Sequence, residues 1–292
     1  MERARLGMGR FVAVLVLCVM ALVMIFPFLW MLLSSVKPNS DLFPAGFSLW
    51  PKHFTIQHYI DAFREEPWGR YFFNSVFTST VATLGQVVFA AMAGYSFARL
   101  RFPLRNALFV LLLAGLMIPM EVTLVPLFLI IKHFPLVGGN DLLGNGGSGL
   151  INTYGGVIVP NLVSIFGVFL MKQFFATLPR SLEEAARIDG CGELRVFWSV
   201  MLPLVKPALI TVAIFGFTGM WDSFFWPLIV LNSSSMFTVQ LGLANMSGGS
   251  TGPTDWGALL AATVAVTAPM FVVFFALQRY FLEGIVLSGV KG

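Results

Sequence analysis

The stretch SLEEAARIDGCGELRVFWSVMLP, Ser181 to Pro203, is a charged, helix-forming insert in a chain that is otherwise strongly apolar. Glu183, Glu184, Asp189 and Glu193 are interleaved with Arg187 and Arg195. Pro179 ends whatever precedes the insert, because proline disfavours helical backbone in the residue before it. Ser181 followed by Glu184 fits a capping box, in which the Ser hydroxyl caps the N3 amide and the Glu reaches back. This predicts a short helix from about Leu182 to Asp189, stopped by Gly190, which suits a left-handed C-cap. A second helix is expected to start near Glu193, with Leu194, Phe197, Trp198 and Met201 forming one apolar stripe at i, i+3, i+4 and i+7. Pro203 closes it. The product is a helix–turn–helix elbow. Ala185 and Ala186 on its first arm are small enough to let another surface approach closely. Two readings stand at this level: an amphipathic elbow lying in the lipid headgroup layer, or a docking element. Glu184 reads equally as a helix cap and as a docking group.

Composition says what surrounds the elbow. Of 292 residues 57% are hydrophobic and only 11% charged, whereas a soluble domain carries about 25% charged residues. Lipid is the expected solvent. A membrane-crossing helix needs roughly 20 apolar residues, and six runs qualify: Phe11–Leu33, Phe72–Ala98, Ala107–Ile131, Tyr154–Met171, Ala208–Leu231 and Ala258–Leu277. The first follows Arg3, Arg5 and Arg10 as a signal peptide would. It is too long for that role and lacks a small-x-small cleavage site, so a retained anchor is expected.

Lysine and arginine set the orientation. With the N-terminus inside, the inner segments hold Arg3, Arg5, Arg10, Arg99, Arg101, Arg105, Lys172, Arg180, Arg187, Arg195, Lys206, Arg279 and Lys291. The outer ones hold only Lys37, Lys52, Arg64, Arg70 and Lys132. Both termini and the loop 177–206 are therefore expected in the cytoplasm. Outside, residues 37–70 are long enough for short interfacial helices, and residues 136–149 (LVGGNDLLGNGGSG) read as a flexible Gly-rich loop. Cys18 and Cys191 suggest neither a disulfide framework nor a zinc site. His53, His58 and His133 lie in loops. No basic patch with interleaved aromatics suggests nucleic acid.

The register of the elbow goes further. EAARIDGCGELRVFWSVMLP resembles the signature of inner-membrane permease subunits of ABC importers: E-A-A, three residues, Gly, nine residues, an aliphatic, one residue, then Leu-Pro. Glu184, Ala185, Ala186, Gly190, Val200, Leu202 and Pro203 fall in that register. Val200 stands where Ile is usual and Cys191 where Ala is common. The likeness extends to the maltose-like carbohydrate group through SSVKPNSDLF, AGYSFARLRFPLRN, MIPMEVTLVPLFLI, INTYGGVIVP, WDSFFWPLIVL and QRYFLEGIVLSGVKG. Asp222 stands where Asn is usual, and the Gly-rich insert is long.

The resemblance implies an all-α, six-span permease of the type I ABC importer fold in a prokaryotic plasma (inner) membrane. It implies partners as well: a second homologous permease, two cytosolic ATPase subunits, an extracytoplasmic solute-binding protein, a carbohydrate solute and membrane lipid. Glu184, Ala185, Ala186, Asp189 and Gly190 would form the coupling helix that docks on an ATPase. The chain carries no G-x-x-x-x-G-K-[ST] phosphate loop. It is therefore expected to hold no cofactor and catalyse no reaction, with ATP and Mg on the partner ATPases.

Two acids lie in apolar runs, where carboxylates are costly and usually face a cavity or pathway. Glu121, between Pro119 and Pro126, reads as a cap for amides freed at a kink, as pathway lining, or as a solute contact. Trp221, Asp222 and Trp226 read as a packing face near the outer interface or as a sugar-stacking site. A rival class, a proton-coupled secondary transporter using Glu121 and Asp222, explains the acids but not the elbow. An intramembrane enzyme is disfavoured because no nucleophile–base pair or metal set lies in the spans. Ala90 with Gly94, and Gly216 with Gly219, are spaced for close helix packing.

Overall fold

The computed structural model describes residues 2–42, 48–248 and 254–289. Among them every regular element is helical. Along the chain run α1 (Glu2–Ser34), α2 (Asn39–Leu42), α3 (Gln57–Glu65), α4 (Trp68–Arg99), α5 (Arg105–Ala114) and α6 (Met120–Lys132). These are followed by α7 (Tyr154–Ile158), α8 (Ile165–Thr177), α9 (Ser181–Ile188), α10 (Glu193–Arg195) and α11 (Leu202–Leu204). The chain closes with α12 (Lys206–Trp221), α13 (Phe225–Val230), α14 (Val239–Ser247) and α15 (Trp256–Gly289). Lys291, expected on the inner side, lies outside the described residues.

Four segments are long and apolar enough to cross a membrane: Arg10–Ser34, Trp68–Arg99, Tyr154–Thr177 and Trp256–Ala276. Two further pairs are bent, Arg105–Met117 with Met120–Lys132 at 106° and Glu193–Leu204 with Lys206–Trp221 at 80°. The total is six if each pair counts as one span. The first bend has a local cause. Ile118, held extended before Pro119 (φ −87°, ψ 116°), cannot continue a helix. Glu121 is consequently in the first turn of α6 rather than in mid-span.

The chain divides into two compact units. The first holds residues up to Pro67 with 243–268. In it α1 exposes apolar side chains all round, including Phe11, Leu22, Val23 and Met24, as a helix does when lipid or another helix covers it. Lys37 is buried, and its ammonium donates to the Ser48 carbonyl at 2.6 Å. The His58 ring bonds the Lys37 carbonyl at 2.8 Å, and Ser35 shares a hydrogen bond with Tyr59 at 2.8 Å.

The second unit holds 68–242 with 269–289 of the described residues, and α4 is its axis. One face of α4 packs on α8 and α12, and it grades from polar to small along its length: Asn74, Ser75, Thr78, Ser79, Thr83 and Gln86, then Ala90, Ala91 and Gly94. Polar side chains at that depth need partners. Asn74 donates to the Ser235 and Phe237 carbonyls (3.0 and 2.8 Å) and accepts from the Tyr154 hydroxyl at 2.7 Å. Gln86 donates to the Asn161 carbonyl at 2.8 Å. Small residues admit the close crossing below: a Cβ on Gly94 would lie 2.5 Å from the Cβ of Met171. The second small pair splits. Gly216 abuts Gln86, whereas nothing lies within 4 Å of a Cβ at Gly219, which faces outward.

The Gly-rich segment 136–149 is not the flexible linker its composition suggests. Asn140 is buried, donates to the Lys132 and Phe134 carbonyls (2.8 and 3.0 Å) and accepts from the Gly147 amide at 2.8 Å. Its glycines serve tight folding. Gly144 and Gly149 hold φ of +83° and +58°, and a Cβ on either would strike a backbone carbonyl at 2.1–2.3 Å. The Asp141 carboxylate accepts from the amides of Leu143 and Asn145, both at 2.8 Å. These bonds, the Asn145 amide first, hold its pKa below the ordinary carboxylate value. Its contribution to the turn is thus complete above the ordinary carboxylate pKa and is lost as pH falls through the lower, folded-state value. Hydrogen-exchange protection of the Leu143 and Asn145 amides should therefore drop on acidification while that of Gly147, held by Asn140, persists. Equal pH dependence at all three would contradict this assignment.

Candidate functional site

The elbow is built on the end of α8. Leu178, extended before Pro179 (φ −71°, ψ 144°), stops the helix, leaving the Phe175 carbonyl with only a 3.3 Å bond from the Leu178 amide and the carbonyls of the last turn open to further donors. Arg99, the last residue of α4, fills that gap. Its guanidinium donates to the Phe175 carbonyl (Nε–O 2.9 Å) and bonds the Leu178 carbonyl. A cation there also meets the negative end of the helix dipole. The same guanidinium lies 3.2 Å from Glu183 Oε1, with the two side chains only 4% and 6% exposed. Glu183 Oε1 is buried without a hydrogen bond. Its tie to Arg99 is a contact of charges, because the Arg99 Nε–H already points at Phe175. Arg187 continues the chain, with Nη2 3.8 Å from Glu183 and 2.9 Å from Glu193.

α9 therefore has an inner and an outer face. Glu183 and Ala186 are buried, Ala186 within a core that includes Tyr95, Met171, Phe175, Phe197 and Met201. Tyr95 packs edge-on against Phe175 at 5.4 Å. Glu184, Ala185, Asp189 and Gly190 are exposed. Gly190 has φ +80° and nothing within 4 Å of a Cβ position. The apolar side chains beside it stand in the open, Ile188 at 86% and Leu194 at 75% exposure.

Two details differ from the sequence reading. Ser181 makes no capping box: the chain enters α9 with Arg180 already helical (φ −67°, ψ −27°), and no side chain caps that end. The amides of Leu182, Glu183 and Glu184 instead bond the Pro179 and Arg180 carbonyls (3.4, 3.0 and 3.1 Å), so nothing is left for Ser181 to cap. The second arm is not a plain α-helix either. Val196–Met201 form a π-helical turn, which widens the repeat and breaks the stripe predicted from a period of 3.6. Phe197 and Met201 are buried with Val196 and Val205, while Leu194 and Trp198 face out. The helix also continues past Pro203 to Leu204.

Sequence reasoning missed Glu183 and Arg99. The signal was present in the i, i+3 spacing of Glu183 and Ala186, one face of a helix, and in the i, i+4 pair Glu183–Arg187. The apolar-run candidates are scattered. Glu121 is exposed and, among the described residues, has no hydrogen-bond or ion-pair partner. Trp221 is buried and stacked on Phe217 at 5.9 Å. Trp226 is buried with its Nε1 on the Gly156 carbonyl at 3.0 Å. Asp222 is the exposed C-cap of α12. The two indoles are used in packing, and the structure gathers none of these groups with the elbow.

Removing one member of a buried ion pair costs about 3–5 kcal/mol, less here because Arg99 keeps its carbonyl partners. Glu183→Gln should destabilise the purified protein by about 2–3 kcal/mol, read as a lower midpoint of thermal unfolding in detergent. Exposed Glu184→Gln should stay within about 0.5 kcal/mol of the parent. Equal effects would contradict the division of α9 into two faces.

Residues 86–286 match the family model described as binding-protein-dependent transport system inner membrane component. The chain is 37% identical to the arabinooligosaccharides transport system permease protein of Halalkalibacterium halodurans, over 93% of both chains. It is 35% identical to the diacetylchitobiose uptake system permease protein of Streptomyces coelicolor, over 92% of this chain and 86% of that one. The fold is similar to a chain in the crystal structure of a bacterial ABC transporter involved in the import of the acidic polysaccharide alginate. The TM-score is 0.80 at 20% identity, over 94% of this chain and 97% of that one. With more than half its length matched and an elbow anchored beneath a helical bundle, the chain belongs to the family of binding-protein-dependent transport system inner-membrane components.

Proposed function

We propose that this chain is one permease half of an ATP-driven importer for an oligosaccharide. In this reading it crosses the plasma (inner) membrane six times with both termini in the cytoplasm. It works with a second, homologous permease, two cytosolic ATPase subunits and an extracytoplasmic solute-binding protein. The oligosaccharide class is supported by the relatives at 35–37% identity, whose names specify arabinooligosaccharides and diacetylchitobiose. A relative at 31% identity from Yersinia pestis is named for sn-glycerol-3-phosphate, so neutral sugar rather than phosphate ester is the favoured solute. The proton-coupled alternative gains no support, since Glu121 and Asp222 sit in separate, exposed positions.

The observation that carries the proposal is the two-faced elbow. Ile188, Gly190 and Leu194 form an open apolar tip rimmed by Glu184 and Asp189, suited to a cleft on a cytosolic partner. Behind the tip, Glu183 and Arg99 tie α9 to the ends of α4 and α8. When ATP closes the ATPase dimer, a displaced tip pulls α4 through that tie. α4 has 32 residues, about 48 Å at 1.5 Å per residue. Its far end carries Asn74, which holds the Ser235 and Phe237 carbonyls. A tilt of α4 thereby reaches the opposite mouth of the bundle, which opens outward to receive solute, and hydrolysis resets it.

Gly190→Asp and Glu184→Lys test the dock. Both should leave the protein inserted, while uptake of radiolabelled oligosaccharide falls at least tenfold and the ATPase subunit no longer co-purifies. Normal uptake and normal co-purification in both variants would overturn the proposal.

A further inference from the structure

Beside the elbow lies a second polar cavity, of about 490 Å³, at the turn that opens α5. Arg101, Arg105 and Arg180 line it with Asn106, and no carboxylate does. The same three arginines also border the neighbouring 390 Å³ cavity, where Glu183 and Glu193 are engaged by Arg99 and Arg187 and Glu184 is unpaired. Arg105 donates to the Leu100 carbonyl at 3.1 Å, which holds it in place. Among the described residues Arg101 and Arg180 pair with no acid. Three guanidiniums around one recess with no carboxylate among its lining residues raise its positive potential, and their planar forks match phosphate oxygens.

The surroundings select the anion. α5 rises from this cavity as an apolar half-span: Leu104, at the turn just before it, and Leu108 and Leu111 along it are all exposed. Lys172 of α8 lies 3.7 Å from the Phe109 ring centroid and fixes α5 on its other side. A phosphate held by the arginines would thus sit at headgroup level, with an apolar track above it for an acyl chain. A carboxylate of a soluble partner would leave that track uncovered.

We infer that Arg101, Arg105 and Arg180 form a binding site for the phosphodiester headgroup of an anionic phospholipid, with its acyl chain along Leu104, Leu108 and Leu111. Lipid bound there bridges the start of α5 and Arg180, the residue that leads into α9. The site goes beyond solute transport and does not depend on which solute is carried.

Native mass spectrometry of the full-length permease, released from nanodiscs of phosphatidylcholine with phosphatidylglycerol, tests the site. The parent should retain phosphatidylglycerol over phosphatidylcholine. The Arg101→Gln/Arg180→Gln double variant should lose that preference by about 25-fold, from roughly fivefold per basic side chain at a membrane surface. Arg195→Gln, a basic residue outside the cavity, should match the parent. Inorganic phosphate alone should not displace the lipid, since it has no acyl chain; full displacement at equal concentration would overturn the lipid assignment. Equal phosphatidylglycerol retention by parent and double variant would overturn the site. So would loss of ATPase co-purification in the double variant with lipid retention unchanged, which would make these arginines a protein dock.

Discussion

A buried arginine at the end of one helix holds the elbow to the bundle. Arg99 carries a charge that cannot be left alone at 4% side-chain exposure. Three groups answer it: the carbonyls of Phe175 and Leu178, and the carboxylate of Glu183. The first two come from the terminus of α8 and the third from α9, so one guanidinium binds three elements at one point. Moving α9 independently of α4 would strand both charges in a poorly solvated place. That cost, rather than loop stiffness, keeps the elbow in step with the bundle.

The rest of α4 extends the same logic. Its lower face is small and close-packed, with Gly94 beneath Met171, while its upper face is polar and hydrogen-bonded to loop carbonyls through Asn74 and Gln86. Close packing resists shear, and a hydrogen bond to a carbonyl holds a loop without filling space. A helix packed at one end and bonded at the other suits a lever that carries displacement from the elbow to the far mouth in the proposed cycle.

Much of this was legible in the sequence. Charge, spacing and proline positions gave the elbow, its first helix to within a residue at each end and its left-handed Gly190, because local backbone preferences act there unopposed. What the sequence hid was set by tertiary contact. Glu183 and Glu184 are indistinguishable as adjacent acids until Arg99 is placed beside one of them. The π-helical turn at Val196–Met201 shifts the buried face by an extra residue that no 3.6-residue template anticipates. The glycines of 136–149 read as flexibility by composition, yet they serve a folded turn organised by Asn140 and Asp141. Bends misplaced the two membrane acids: Glu121 begins a helix and Asp222 ends one.

The central claim is that α9 and α4 move as one body. Spin labels at exposed Leu182 on α9 and exposed Met92 on α4, with Cys18 and Cys191 replaced, would report their separation in the assembled transporter. The account predicts a single narrow distance distribution that stays the same without nucleotide and with a non-hydrolysable ATP analogue, even as labels across the two permease halves shift. A Leu182–Met92 distance that changes or broadens on nucleotide binding would show the elbow sliding free of α4 and would contradict it.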